Sequence, residues 1–245
     1  SNCRIFRNAV FGRRAAYEKD WEDRTDMKDV EVVPAILRTT FEKIEEDWSR
    51  VVHDAKHIHI DVTDGIFAGD GTFMDLPRLK KLSMGDKIEL HMMVQSPADY
   101  VDDIIELNPA RCIFHIESFV GTNDLPFVYN TIGEHTSAEM GLAINPDTPT
   151  ERLTEYLPIV QYILFMGYNP GRSNQPFDPM VIPKIAAFHS KYPNIRISVD
   201  GHVSKQTIAD YAAVGATIFC ANTAIFEAGN PGENIRQLEL LARAA

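Results

Sequence analysis

Cysteine is scarce in this chain, three in 245 residues, which excludes the disulfide-stapled secreted folds that use dense cysteine in place of a core. Three cannot all pair, and Cys112 and Cys220 sit inside apolar runs, so they read as buried thiols in a reducing compartment. No stretch approaches the roughly 18 apolar residues that span a bilayer, and the first residues lack the apolar block of a secretory signal. A cytoplasmic protein with no membrane partner is the expectation. Positive charge is short as well: Lys and Arg total 24 against 35 Asp and Glu, a net charge of -11. Phosphate backbones require a basic face, so nucleic acid is excluded as a partner, and an anionic small molecule must be met by local positive potential. Linkers rich in Gly, Ser or Pro are missing too, which argues for one domain. The G-x-G-x-x-G turn of a dinucleotide-binding open sheet is absent.

What is present is a regular alternation. Hydrophobic content of 44% supports a substantial core. After a polar, charged leader, with Phe11, Tyr17 and Trp21 at loosely helical spacing, apolar strand-like runs cover residues 30–37, 57–62, 88–94, 111–117, 140–145, 161–168, 196–200 and 217–221. Helical patterns fall between them, including one capped near Thr39 or Thr40 and carrying Phe41, Ile44, Trp48 and Val51, and others over 98–107 and 205–214. Eight strand and helix units in about 215 residues predict an α/β protein: a single eight-stranded parallel β/α (TIM) barrel. Residues 1–29 form an N-terminal extension in this reading and 30–245 the barrel domain.

Barrel sites lie at the carboxyl ends of strands, and three such ends carry chemistry. In the second run His59 and Asp61 are two apart, so a strand presents both on one face before Asp64-Gly65 breaks it. The third offers His91, and the seventh ends in Asp200 before Gly201. Two histidines and two acids at strand ends have no packing reason to be there, and together they could hold one divalent metal, with Zn, Fe(II), Mn and Co all admissible for mixed nitrogen and oxygen donors. Asp64 reads as a turn former. His115 and Glu117 face the site or serve as packed, hydrogen-bonded groups, the second role being favoured.

The order of Pro34-Ala35-Ile36-Leu37, His59-Ile60-Asp61-Val62-Thr63-Asp64-Gly65, His91-Met92-Met93-Val94, Asn169-Pro170-Gly171 and Val199-Asp200-Gly201 resembles the ribulose-phosphate 3-epimerase family over roughly residues 31–240. The resemblance implies a metal-dependent barrel that interconverts ribulose 5-phosphate and xylulose 5-phosphate by moving the C3 proton. It places the metal on His59, Asp61, His91 and Asp200, gives Asp61 and Asp200 the acid/base roles, lines the pocket with Ala35, Met93 and Met166, and suggests a homo-oligomer. Inversion of a carbon requires proton removal from one face and return to the other, hence two carboxylates. The enediolate that develops requires a nearby cation.

The chain departs from that family where the family grips phosphate. Glycine-rich loops after the last three strands are replaced by Gly171-Arg172-Ser173-Asn174, by Gly201-His202 and by Asn222-Thr223; Ala35 stands where the family has serine, and Thr63 where it has methionine. Either these side chains, with His91, bind the phosphate of the sugar, or bulk in the pocket favours a substrate that is shorter, differently phosphorylated or not phosphorylated, with allulose 6-phosphate or a tetrulose phosphate as near neighbours. A lyase of the orotidine-phosphate decarboxylase type ranks low because the Asp-x-Lys-x-x-Asp lysine is missing. A non-catalytic sugar-phosphate-binding barrel is the reading from another class.

Overall fold

Eight short runs of β-branched and apolar residues pair side by side in sequence order, and the eighth returns to the first. In the computed structural model, which describes residues 29–170 and 177–245, these strands are β1 (Glu31–Ile36), β2 (Ile58–Thr63), β3 (Ile88–Met93), β4 (Arg111–His115), β5 (Glu139–Ile144), β6 (Tyr162–Met166), β7 (Arg196–Asp200) and β8 (Ile218–Ala221). All eight pairings are parallel and the sheet closes into a barrel, which confirms the expected fold. The leader expected over 1–29 lies almost wholly outside the described residues.

Both faces of a parallel strand are covered, and alternation sorts the residues between them. Val33, Ala35, Ile113, Ala143, Tyr162, Leu164, Met166, Ile218 and Cys220 form a separate inner cluster. Residues of opposite phase, such as Ile36, Ile60, Leu90 and Phe114, pack outward with the helices in the larger core. The helices are α1 (Phe41–Val51), α2 (Val101–Leu107), α3 (Leu125–His135), α4 (Val181–Lys191), α5 (Ile208–Ala213), α6 (Thr223–Phe226) and α7 (Pro231–Arg243). Helix α1 starts at Thr40, whose side chain accepts from the Lys43 N–H, and buries Phe41, Ile44, Trp48 and Val51, each contributing about 1.5–3 kcal/mol if fully removed from water.

The connections differ from the simple alternation in two places. After β2 the chain forms a 3-10 segment, Leu76–Lys81, and after β5 two more, Thr150–Leu153 and Leu157–Ile159. Pro77, Pro149 and Pro158 stand at or beside their first turns, where a missing N–H and a fixed φ favour short helical pieces over long ones. Strand β4 ends at His115, not Glu117, because Ile116–Phe119 turns into 3-10 geometry. Strand β6 ends at Met166, and Gly167 follows where a Cβ would lie 2.4 Å from the Gly201 carbonyl oxygen.

The amino-terminal end of the barrel is plugged by charge. Arg111 is buried and donates to Glu31 at 2.9 Å, to Glu89 at 3.0 Å and to Glu139 at 3.0 Å. Arg196 adds a second guanidinium on Glu139 at 2.8 Å, and the His57 imidazole meets Glu31 at 2.6 Å. The Tyr162 ring lies within reach of both guanidiniums, 5.7 Å from each, and crosses Gly141 so closely that a Cβ there would meet it at 2.5 Å. Removing one member of such a buried set costs about 3–5 kcal/mol, since it leaves an uncompensated charge. No helix among the described residues is long and apolar enough to cross a membrane.

Candidate metal-binding active site

Strands β2, β3 and β7 carry the site at their carboxyl ends. Asp61 and His91 are direct neighbours across the β2–β3 register, and Met166 stands opposite Asp200 across β6–β7. His59 Nε2 lies 3.1 Å from Asp61 Oδ1, and His91 Nδ1 lies 2.9 Å from the same oxygen and 3.7 Å from Asp200 Oδ2. One ligand atom from each of the four residues falls within 4.8 Å of all the others. Two imidazole nitrogens and two carboxylate oxygens, with no ammonium or guanidinium among them, suit a divalent cation.

The surroundings divide the two carboxyls. Burial would raise Asp61, but the imidazoles of His59 and His91 outweigh it and hold this carboxyl well below the usual range. Asp200 is pushed up to about 6 by burial and by the neighbouring Asp61 charge. The two acids of the cluster are thus driven in opposite directions by their surroundings.

The far nitrogen of His91 is engaged by His115, with 2.9 Å between the two Nε2 atoms, and His115 Nδ1 lies 3.3 Å from Glu117. Glu117 itself accepts from the Asn145 N–H. Burial lowers the His115 imidazole to about 4, so it is neutral at pH 7. A neutral ring that donates through Nδ1 to Glu117 accepts through Nε2, so the hydrogen of the His91–His115 contact belongs to His91 Nε2. His115 and Glu117 are therefore hydrogen-bonded supports beside the site. Phe67, from the loop after β2, covers the His115 ring at 5.0 Å, and Asp64 pins that loop by accepting from the N–H groups of Ile66, Phe67 and Gln95.

Of the remaining predicted residues, Ala35 and Met166 line the barrel interior, and Met93 is buried at the end of β3, opposite Thr63. Gly201 has φ +108, and the Tyr168 ring and Gly167 backbone approach to about 3 Å of where a Cβ would stand. His202 holds φ +59 and stacks on Phe177 at 5.0 Å with an interplanar angle of 8°. Asn222 ties β8 to β1 by donating to the Ala35 carbonyl at 2.6 Å, and Thr223 opens α6. Gly171, Arg172, Ser173 and Asn174 lie outside the described residues. Glu89 and Arg111 escaped the sequence reading, although Glu89 shares the inward phase of His91 and so carried a signal. Tyr168 was read only as the end of a strand; burial and the Asp200 charge push its phenol far upward, and its ring packs below Gly201.

A model of the ribulose-phosphate 3 epimerase family matches residues 31–226. The chain belongs to this family. Ribulose-phosphate 3-epimerase of Eremothecium gossypii is 32% identical over 222 residues, covering 85% of this chain and 91% of the relative. The protein named ribulose-phosphate 3-epimerase, cytoplasmic isoform, of Oryza sativa is 31% identical, covering 84% and 92%. The chain is thus a member of an isomerase family. Among solved structures, 3-hexulose-6-phosphate synthase of Salmonella typhimurium superposes with a TM-score of 0.61 at 14% identity, over 86% of this chain and 98% of that one. Phosphoribosyl anthranilate isomerase of Thermus thermophilus gives 0.58 at 14%, over 87% and 98%. At that identity the likeness is one of fold.

Proposed function

We propose that this chain is a divalent-metal-dependent ketose-phosphate 3-epimerase, interconverting D-ribulose 5-phosphate and D-xylulose 5-phosphate. The observation that carries the reading is the convergence of His59, Asp61, His91 and Asp200 at the mouth of the barrel, in a chain of this family. Those four residues would hold the ion, which when bound supplies positive charge for the oxygens of an enediolate.

The two aspartates move the proton. They arise from β2 and β7, which are not neighbours in the sheet, and a substrate carbon held between them would meet one carboxyl on each face. The ionised partner takes the C3 proton, and the protonated partner returns one from the opposite side; in the reverse reaction the roles exchange. Residues of the loops after β6, β7 and β8, Arg172 and His202 among them, would receive the sugar's phosphate.

Solvent deuterium provides the test. Metal-loaded protein in D2O is expected to place label at C3 of ribulose 5-phosphate while forming xylulose 5-phosphate. Asp200→Asn is expected to retain the fold and lower turnover by at least about 100-fold, the scale of lost general acid/base catalysis. Turnover within a few-fold of wild type in that variant would remove Asp200 from the proton path. A panel of other ketose phosphates, allulose 6-phosphate included, reads the consequence of the rewritten loop at His202, whose side chain stands where glycine would leave open space.

A further inference from the structure

The two ring nitrogens of His59 each face a carboxylate. Nε2 is turned to the four-residue cluster, 3.1 Å from Asp61, and Nδ1 is turned down the barrel axis, 2.6 Å from Glu89 Oε1. Glu89 has no solvent exposure, and its other oxygen accepts from Arg111 Nη1 at 3.0 Å. An unbroken line therefore runs from the charged plug at the amino-terminal end, through Arg111, Glu89 and His59, to Asp61 at the mouth. We propose that Glu89 and Arg111 are positioning residues for the metal centre: Glu89 holds the His59 hydrogen at Nδ1, which leaves Nε2, the nitrogen turned to Asp61, as the one that would give up its hydrogen to a cation, and Arg111 fixes Glu89.

An imidazole coordinates a cation only through a nitrogen that carries no hydrogen, and the hydrogen bond at the other nitrogen decides which one that is. A carboxylate can only accept, so its contact at Nδ1 demands the N–H there. Holding a carboxylate wholly away from water is costly unless it is paired. Arg111 meets that requirement with a rigid fork whose three nitrogens reach Glu31, Glu89 and Glu139. The neighbouring thiol of Cys220 lies 3.4 Å from Nδ1 and 3.7 Å from Glu89, a weaker partner than the 2.6 Å carboxylate. None of this follows from the four ligands themselves, although the inference rests on the metal reading above.

Titration of the purified full-length protein with Co2+, followed by visible absorption and by competition with Zn2+, tests it, with circular dichroism and the thermal midpoint recorded for each variant. In Glu89→Gln the guanidinium attracts the amide oxygen, which turns the NH2 toward Nδ1 and demands the opposite tautomer of His59. The Co2+ dissociation constant is expected to rise roughly 10- to 100-fold, the usual effect of losing a ligand's hydrogen-bond partner. Arg111→Lys keeps a cation but loses the fork and is expected to weaken Co2+ in the same direction. Glu89→Asp keeps the charge one methylene further back; it is expected to fold and to bind with intermediate affinity, and it carries the test should either other variant fail to fold. Folded variants that bind Co2+ as tightly as wild type with an unchanged spectrum, losing only thermal stability, would overturn the proposal. A wild-type protein that takes up neither ion would overturn the metal reading together with it, a result distinct from equal affinity in the variants.

Discussion

At the scale of single residues, His202 asks the most of its backbone. A side chain in the left-handed region costs about 1–2 kcal/mol, and His202 adopts it at the mouth of the barrel beside Phe177. Such strain is retained where a side chain has a task. His202→Gly relieves it but gives the unfolded chain more freedom and forfeits the stacking, so stability is expected to shift by under about 1 kcal/mol. The KM for the sugar phosphate is expected to rise instead; an unchanged KM with altered stability alone would assign His202 to packing. Glu117→Gln is a second test of this kind: loss of the acceptor that orients His115 is expected to weaken metal uptake without unfolding the barrel, checked by metal content after dialysis. The convergence of His59 and Asp61 was legible from sequence because polar residues two apart at the end of an apolar strand share a face. Glu89 was not singled out because an acid in mid-strand shows its partner only once Arg111, 22 positions away, is brought beside it.

At the scale of elements, strands were read more faithfully than the segments between them. Seven of the eight shifted at one or both ends while β7 kept its predicted bounds, and each is fixed by neighbours on both sides. Their ends were harder, since the stops at His115 and Met166 depend on a following 3-10 turn and on the close approach of Gly167 to Gly201. Gly167→Ala is therefore expected to cost about 1–3 kcal/mol, the range for overpacking, and to lower activity by displacing the turn that follows Asp200. Thermal unfolding alongside kinetics checks both. In the loop after β5 one side chain gathers three carbonyls: Lys184 donates to those of Asn145, Pro146 and Thr148. Lys184→Met is expected to destabilise by about 1–3 kcal/mol by stranding those acceptors, measured as a shift in urea midpoint.

For the whole molecule, the buried plug sets the response to acid. Burial opposes the charge of Glu89, but its bond to His59 and the charge of Arg111 outweigh this and bring it down from 4.5 to about 2; Glu31 and Glu139 are lowered as well, against the same burial, by His57 and Arg111 and by Arg196. A carboxyl depressed on folding stabilises fully above its unfolded value and progressively less as pH falls toward its folded one. Glu89 alone corresponds to about 3 kcal/mol, so the thermal midpoint of metal-free protein is expected to fall steeply between pH 4.5 and 2. A flat profile there would mean that these acids are not paired in solution. Closure of the barrel, by contrast, was readable from strand count, whereas the plug was not, because it joins residues from β1, β3, β4, β5 and β7 that share no local pattern. The four converging side chains hang from hydrogen-bonded strands, while His202 and Thr223 belong to the rim. Reagent choice and reaction type are thus separable parts of one scaffold: exchanging rim segments for those of a relative should retarget the catalyst to a different sugar without rebuilding its chemistry.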